Sequence, residues 1–252
     1  MVKPTESQPK VDATASAADR AASADKIRRD YDEITKKISA EYAAAGDTFP
    51  GGLNAYLRQL ALLQREKHAD LAALLTPREL EDLEMRDTNA GQSVQRLLGE
   101  SAATEEQRRA VFRLEQEFED KFALTFDLTP AALFARETER VATQQKIRVA
   151  LGDDLFGAWL RGEGADYAAS AALAQQQGLA AGVPLELWQA KNDFLLARLQ
   201  LKARADLTAV QRADTESALA SQALIRVTSL IGTAASTDAG RAALSWLPPP
   251  RR

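Results

Sequence analysis

The 252-residue chain has no cysteine, one histidine, and aromatic residues at only 6% of its positions. Without Cys there is no disulfide, no thiolate nucleophile and no Cys-ligated zinc. One His cannot furnish the pair of Glu-x-x-His motifs that a ferritin-like di-metal centre needs. Positive charge is not in excess either. The 32 Lys and Arg are outnumbered by 36 Asp and Glu, leaving a net charge of −4 and a pI near 5.3. That balance argues against a nucleic-acid partner, which calls for clustered Lys and Arg. No run of about 18 apolar residues crosses the chain, so no membrane span is expected. Gly-x-Ser-x-Gly, EF-hand spacing and a Gly-Lys-Ser/Thr loop are also missing, so no catalytic residue, cofactor or metal ligand is assigned.

What is present is helical period. Ile27, Tyr31, Ile34 and Ile38 recur at spacings of four, three and four, giving one apolar stripe. Asp47-Thr48-Phe49-Pro50-Gly51-Gly52 breaks that run, and Leu53, Tyr56, Leu57, Leu60 and Leu63 begin another that extends to Leu74. Val111, Leu114, Phe118 and Phe122 form a further stripe, as do Leu187, Phe194 and Leu201. No segment alternates with period two, so the expected fold is all-α, a multi-helix array of about nine to eleven helices.

Helix starts are written with unusual clarity. In LLTPRELEDLEMRD, residues 74–87, Thr76 precedes Pro77 and stands three residues before Glu79. That is a capping box with Pro in the first turn, where its missing N–H costs nothing. The remaining acids read as the hydrated face of the helix. Thr104 with Gln107 and Thr208 with Gln211 repeat the box, and Thr129-Pro130 repeats the Pro start.

Shifting the chain by 76 residues lays Leu83 on Trp159, Phe112 on Trp188 and Phe118 on Phe194. A shift of two or three more lays Thr129 on Thr208 and Ile147 on Ile225. The expected organisation is therefore a disordered polar tail over 1–23, a helical hairpin over 24–74, a helical unit over 75–151, a second unit over 152–246 that duplicates the first, and a Pro/Arg tail over 247–252.

Several residues invite chemistry and receive a plainer reading. His68 is expected at a surface or interface. Gly162-Glu163-Gly164-Ala165-Asp166 lacks the third Gly and preceding strand of a phosphate loop, and reads as a hinge between helices. Asp153 or Asp154 is expected to cap a helix. Glu115, Glu117, Glu119 and Asp120 are expected to pair with Arg108, Arg109 and Arg113. In LSWLPPPRR the prolines end the last helix and favour an extended tail. Trp159, Trp188 and Trp246 are expected as inter-helix anchors. The candidate partner site is an aromatic groove drawn from Trp159, Trp188, Phe112, Phe118 and Phe194.

The segments LLTPRELEDLEMR, TEEQRRAVFRLEQEFEDKF and IRVALGDDLFGAWL together resemble an uncharacterised group of bacterial all-helical proteins. Those carry LTP-x-E-L, TEEEF-x-x-I/L-F and LG-x-x-x-F-x-x-Y/W segments. The resemblance spans about residues 55–200 and implies a helical fold, commonly behind an N-terminal membrane anchor, with no activity attached. Leu207-Thr208-x-x-Gln211 also resembles the LTxxQ signature of the Spy/CpxP group of periplasmic helical chaperones.

The function expected from these readings is a non-enzymatic, chaperone-like interaction module that binds a protein or peptide partner through inter-helix grooves. Two alternatives stay open: an enzyme with a carboxylate site and a hard divalent cation, and a structural homo-oligomer built on the 24–74 hairpin. A cytoplasmic location fits the chain as written. A periplasmic or envelope location follows if a signal or anchor has been removed.

Overall fold

The computed structural model describes residues 16–123 and 127–248, and among these residues there are eleven α-helices and no strand. In chain order they are α1 (Ala17–Ala45), α2 (Gly52–Leu74), α3 (Pro77–Asp87), α4 (Asn89–Leu98), α5 (Glu105–Phe122) and α6 (Pro130–Leu151). There follow α7 (Asp153–Glu163), α8 (Ala165–Gln177), α9 (Val183–Ala203), α10 (Ala209–Ile231) and α11 (Asp238–Ala243). The all-α expectation holds, and so do its start signals. Thr76, Thr129 and Thr208 each accept the backbone N–H three residues on, and Glu79 and Gln211 return the bond to their caps. Thr104 and Gln107 exchange the same pair at the start of α5.

The polar tail is shorter than expected. Ser16 accepts from the Asp19 amide, and Asp19 bonds back to Ser16, so α1 begins at Ala17 rather than near residue 24. Residues 1–15 and 249–252 of the expected tails lie outside the described residues.

Two compact units divide the chain. Of the described residues, the first comprises 16–92 with 119–123, the second 93–118 with 127–248. In this division α3 falls with the α1–α2 hairpin. Leu83 of α3 packs with Ala24 of α1 and Leu71 of α2, with Leu80 at the margin. Charge reinforces the apolar contact. Arg20 forks onto Glu79 through Nε and Nη2, the latter at 2.7 Å, while Arg28 Nε lies 2.7 Å from Asp87. At the hairpin turn, Tyr42 stacks on Tyr56 with ring centroids 4.2 Å apart, and Phe49 meets both rings edge-on.

In the second unit, Leu173, Val183, Leu187, Val227 and Ile231 join α8, α9 and α10 in one apolar cluster with Ala243 of α11. Phe156, fully buried on α7, stacks on Trp159 at 5.5 Å and meets Trp188 of α9 edge-on at 5.4 Å. Two glycines lie close to neighbouring side chains here. A Cβ on Gly157 would stand 2.7 Å from the Tyr167 hydroxyl oxygen, and one on Gly162 would stand 2.3 Å from Leu97 Cδ2.

Helix lengths recur along the chain. α3 to α6 have 11, 10, 18 and 22 residues, and α7 to α10 have 11, 13, 21 and 23. The matching of Ile147 with Ile225 fails on burial, since Ile147 is fully buried and Ile225 is 70% exposed. Val227 is the buried counterpart, and the helix-ending glycines Gly152 and Gly232 then coincide, both at positive φ.

Candidate functional site

Most residues singled out by sequence turn out to hold helices together. Within residues 74–87, Glu79 pairs with Arg20, Asp82 with Arg78, Glu84 with His68, and Asp87 with Arg28. They are thus more than a hydrated face, because three of these pairs cross from α3 to α1 or α2. Glu79 is held down to about 2, first by the Arg20 guanidinium and then by the Thr76 amide and hydroxyl. His68 Nδ1 lies 2.5 Å from Glu84 Oε1 and bridges α2 to α3. Tyr31 donates to Asp70 at 2.7 Å, and burial followed by that carboxylate pushes its phenol up. Among the described residues, no group of three or more His, Asp or Glu could hold a metal ion.

Gly164 closes α7 and opens α8, which makes residues 162–166 a helix junction, with Asp166 paired to Lys191 of α9. Asp153 does not cap α7. Gly152 occupies that position, and Asp153 instead takes Arg148 at 2.6 Å, which holds its carboxyl below the usual range. On α5, Glu105 meets Arg109 at 2.9 Å. Glu119 is pushed up by burial and by neighbouring Asp120.

Three of the five residues expected to line an aromatic groove lie inside the fold. Trp159, Phe112 and Phe194 are buried, at 2, 2 and 4% exposure, and belong to the core. Trp188 is half-buried against Phe156, and half-buried Phe118 carries Arg136 above its ring. Large aromatic faces are worth most when fully removed from water, so the fold places them inside.

The open groove lies elsewhere in the second unit and was missed. Its floor is one face of α10, contributed by Glu216, Ser217, Ala220, Ser221 and Leu224. Arg198 of α9 flanks it on one side. Ala235, Arg241, Leu244, Ser245, Leu247 and Pro248 form the other wall, and the space they line is about 730 Å³. That volume sits within the usual range of ligand clefts, roughly 300–1,000 Å³.

The wall exists because the chain reverses. Gly232, at φ 54°, ends α10, and a 3-10 turn over Gly232–Ser236 leads to Thr237, which caps α11 through the Gly240 amide. The Ala234 carbonyl accepts from both the amide and the hydroxyl of Thr237. Gly240 packs directly on that carbonyl, where a Cβ would stand only 2.0 Å from the oxygen. Trp246 then anchors the last turn, its Nε1 donating to Ala243 O and its ring 5.7 Å from that of Phe194. The floor stays open because its central residues are small. The helical segment Ala209–Ser236 is also apolar enough by composition to cross a membrane, with mean hydropathy 1.2 over its most apolar 18-residue window and only 22% of that window buried. Ala223, Val227 and Ile231 on its inner face are nonetheless built into the core.

Two arginines and one carboxylate line the groove. Arg198 Nε meets Glu216 at 2.5 Å, both about one-third exposed. Arg241 is bound to Asp238, which is 98% exposed, and to the Ser236 carbonyl. Comparison with family models, curated proteins and solved structures found no match to this chain.

Proposed function

We propose that this protein is a non-enzymatic helical binding module that receives a peptide segment of a partner protein in the α10 groove. The groove itself carries the reading: a trough with small and apolar residues on its floor, three serine hydroxyls, and charged residues at its margins. Apolar side chains of a peptide gain by leaving water against Ala220, Leu224, Leu244 and Leu247. Serine hydroxyls offer partners to the peptide backbone, whose N–H and C=O groups would otherwise go unsatisfied on burial. The arrangement is a helix-lined groove of the kind that accepts short anchors from a partner.

A displayed random-peptide library selected against the full chain tests this. Enriched peptides should bind the native chain and lose binding to Ser221→Trp, which fills the trough from an exposed position. Failure to enrich any peptide, or enriched peptides indifferent to that substitution, would refute it. We further infer that residues 77–151 and 153–231 descend from one four-helix unit, which the recurring helix lengths support. In relatives of this chain the two spans should align to each other better than to shuffled helical sequence, and an equal score would sink the inference.

A further inference from the structure

We infer that the segment taken by this groove is short and acidic: a few apolar residues carrying an Asp or Glu whose carboxylate Arg241 receives. The inference rests on the peptide-groove reading above. Size comes first. From Glu216 to Leu224 the floor runs about 12 Å at the helical rise, enough for roughly four extended residues. A stable folded partner generally covers about 800 Å² on each side, which a trough of this length does not offer.

Charge decides the rest. Of the lining residues, Arg198 and Arg241 are cationic and Glu216 is anionic. Glu216 is already bound to Arg198, each with the other as partner. Arg241 differs, because its carboxylate partner Asp238 stands almost wholly in water. A pair of that kind is weak, since both charges keep their hydration and the surrounding dielectric is high. A carboxylate delivered by a peptide approaches Arg241 from inside the trough, beside Leu244, where screening is lower and the charge-assisted bond stronger. The guanidinium is held at the rim for this by its bond to the Ser236 carbonyl. With Glu216 held by Arg198, a basic peptide finds no unshared carboxylate in the lining and brings a like charge to Arg241, which selects against it.

Three fluorescein-labelled, C-terminally amidated peptides test the inference by anisotropy on the full chain. They share the core Leu-Ala-Leu-Ala and end in Glu-Glu, Gln-Gln or Lys-Lys. The acidic peptide should bind about tenfold tighter than its Gln-Gln twin, the discrimination expected of one charge-assisted bond, and the Lys-Lys peptide weakest. Arg241→Gln should bring the acidic peptide to the Gln-Gln level while leaving the latter unchanged. Arg241→Lys, which keeps the charge and loses the fork, should fall between. Circular dichroism confirms that each variant is folded, and both substitutions replace an exposed side chain. Equal binding of the acidic and Gln-Gln peptides, with both lost in Ser221→Trp, refutes the acidic preference and leaves the groove standing. Binding by none of the three sinks both.

Discussion

Gly240 is where the account of the groove is most easily broken. A methyl added there would lie 2.0 Å from the Ala234 oxygen, against an ordinary C···O contact of about 3.3 Å. Relief requires that α11 and the turn separate by roughly 1.3 Å. The carbonyl is not free to yield, because it accepts two bonds from Thr237 at 3.1 and 2.8 Å. Overpacking of this kind costs about 1–3 kcal/mol, and a weakened Thr237 cap adds about 1. Ala is favoured over Gly inside a helix by about 1 kcal/mol, which offsets the cap. Gly240→Ala should therefore destabilise by about 1–3 kcal/mol. In a chain of this size that lowers Tm by roughly 2–4 °C for each kcal/mol. Because Leu244 follows α11 directly and lines the groove, peptide binding should weaken as well. Urea unfolding and peptide titration on the same variant provide the assay. Unchanged stability together with unchanged binding would show that the Gly240 contact does not fix the wall.

Three further outcomes follow from the packing. Glu79 is depressed from 4.5 to about 2 in the folded chain, so its contribution to stability is complete above about pH 4.5 and fades as pH falls toward 2. Glu79→Gln should flatten acid unfolding over that window, and an unaltered pH profile would remove Arg20–Glu79 as a clamp. Phe156→Ala removes a fully buried ring that contacts Trp159 and Trp188, and should cost about 3–5 kcal/mol in chemical denaturation. A loss below about 1 kcal/mol would contradict the core assignment. Asn192, 5% exposed, has an Nδ2 without a partner, so Asn192→Leu should leave stability unchanged or raise it by about 1–3 kcal/mol. A large loss would mean that this amide is satisfied in solution.

What could be read from sequence was local. Thr76, Thr104, Thr129 and Thr208 announce their helices because a cap needs only residues three apart. Ser16 with Asp19 is the same device, but its Ala- and Ser-rich surroundings made it look like tail. Pairs that join helices were not legible: Arg20 and Glu79 are 59 residues apart, and any of many acids could have answered that arginine. The aromatics drew attention as binding residues for the very property that buries them. The groove gave almost no signal, since Ser217, Ala220 and Ser221 look like an ordinary helix surface. They become a floor only when the chain turns at Gly232 and α11 returns beside them. Spacing along one helix cannot encode that return.

The central claim, that this trough receives a peptide, is tested most directly by amide hydrogen exchange on the full chain with and without a library-selected peptide at saturation. Protection concentrated in residues 216–224 and 241–247 is the expected result. Protection confined to the α1–α2 hairpin, or spread evenly over the chain, would contradict it.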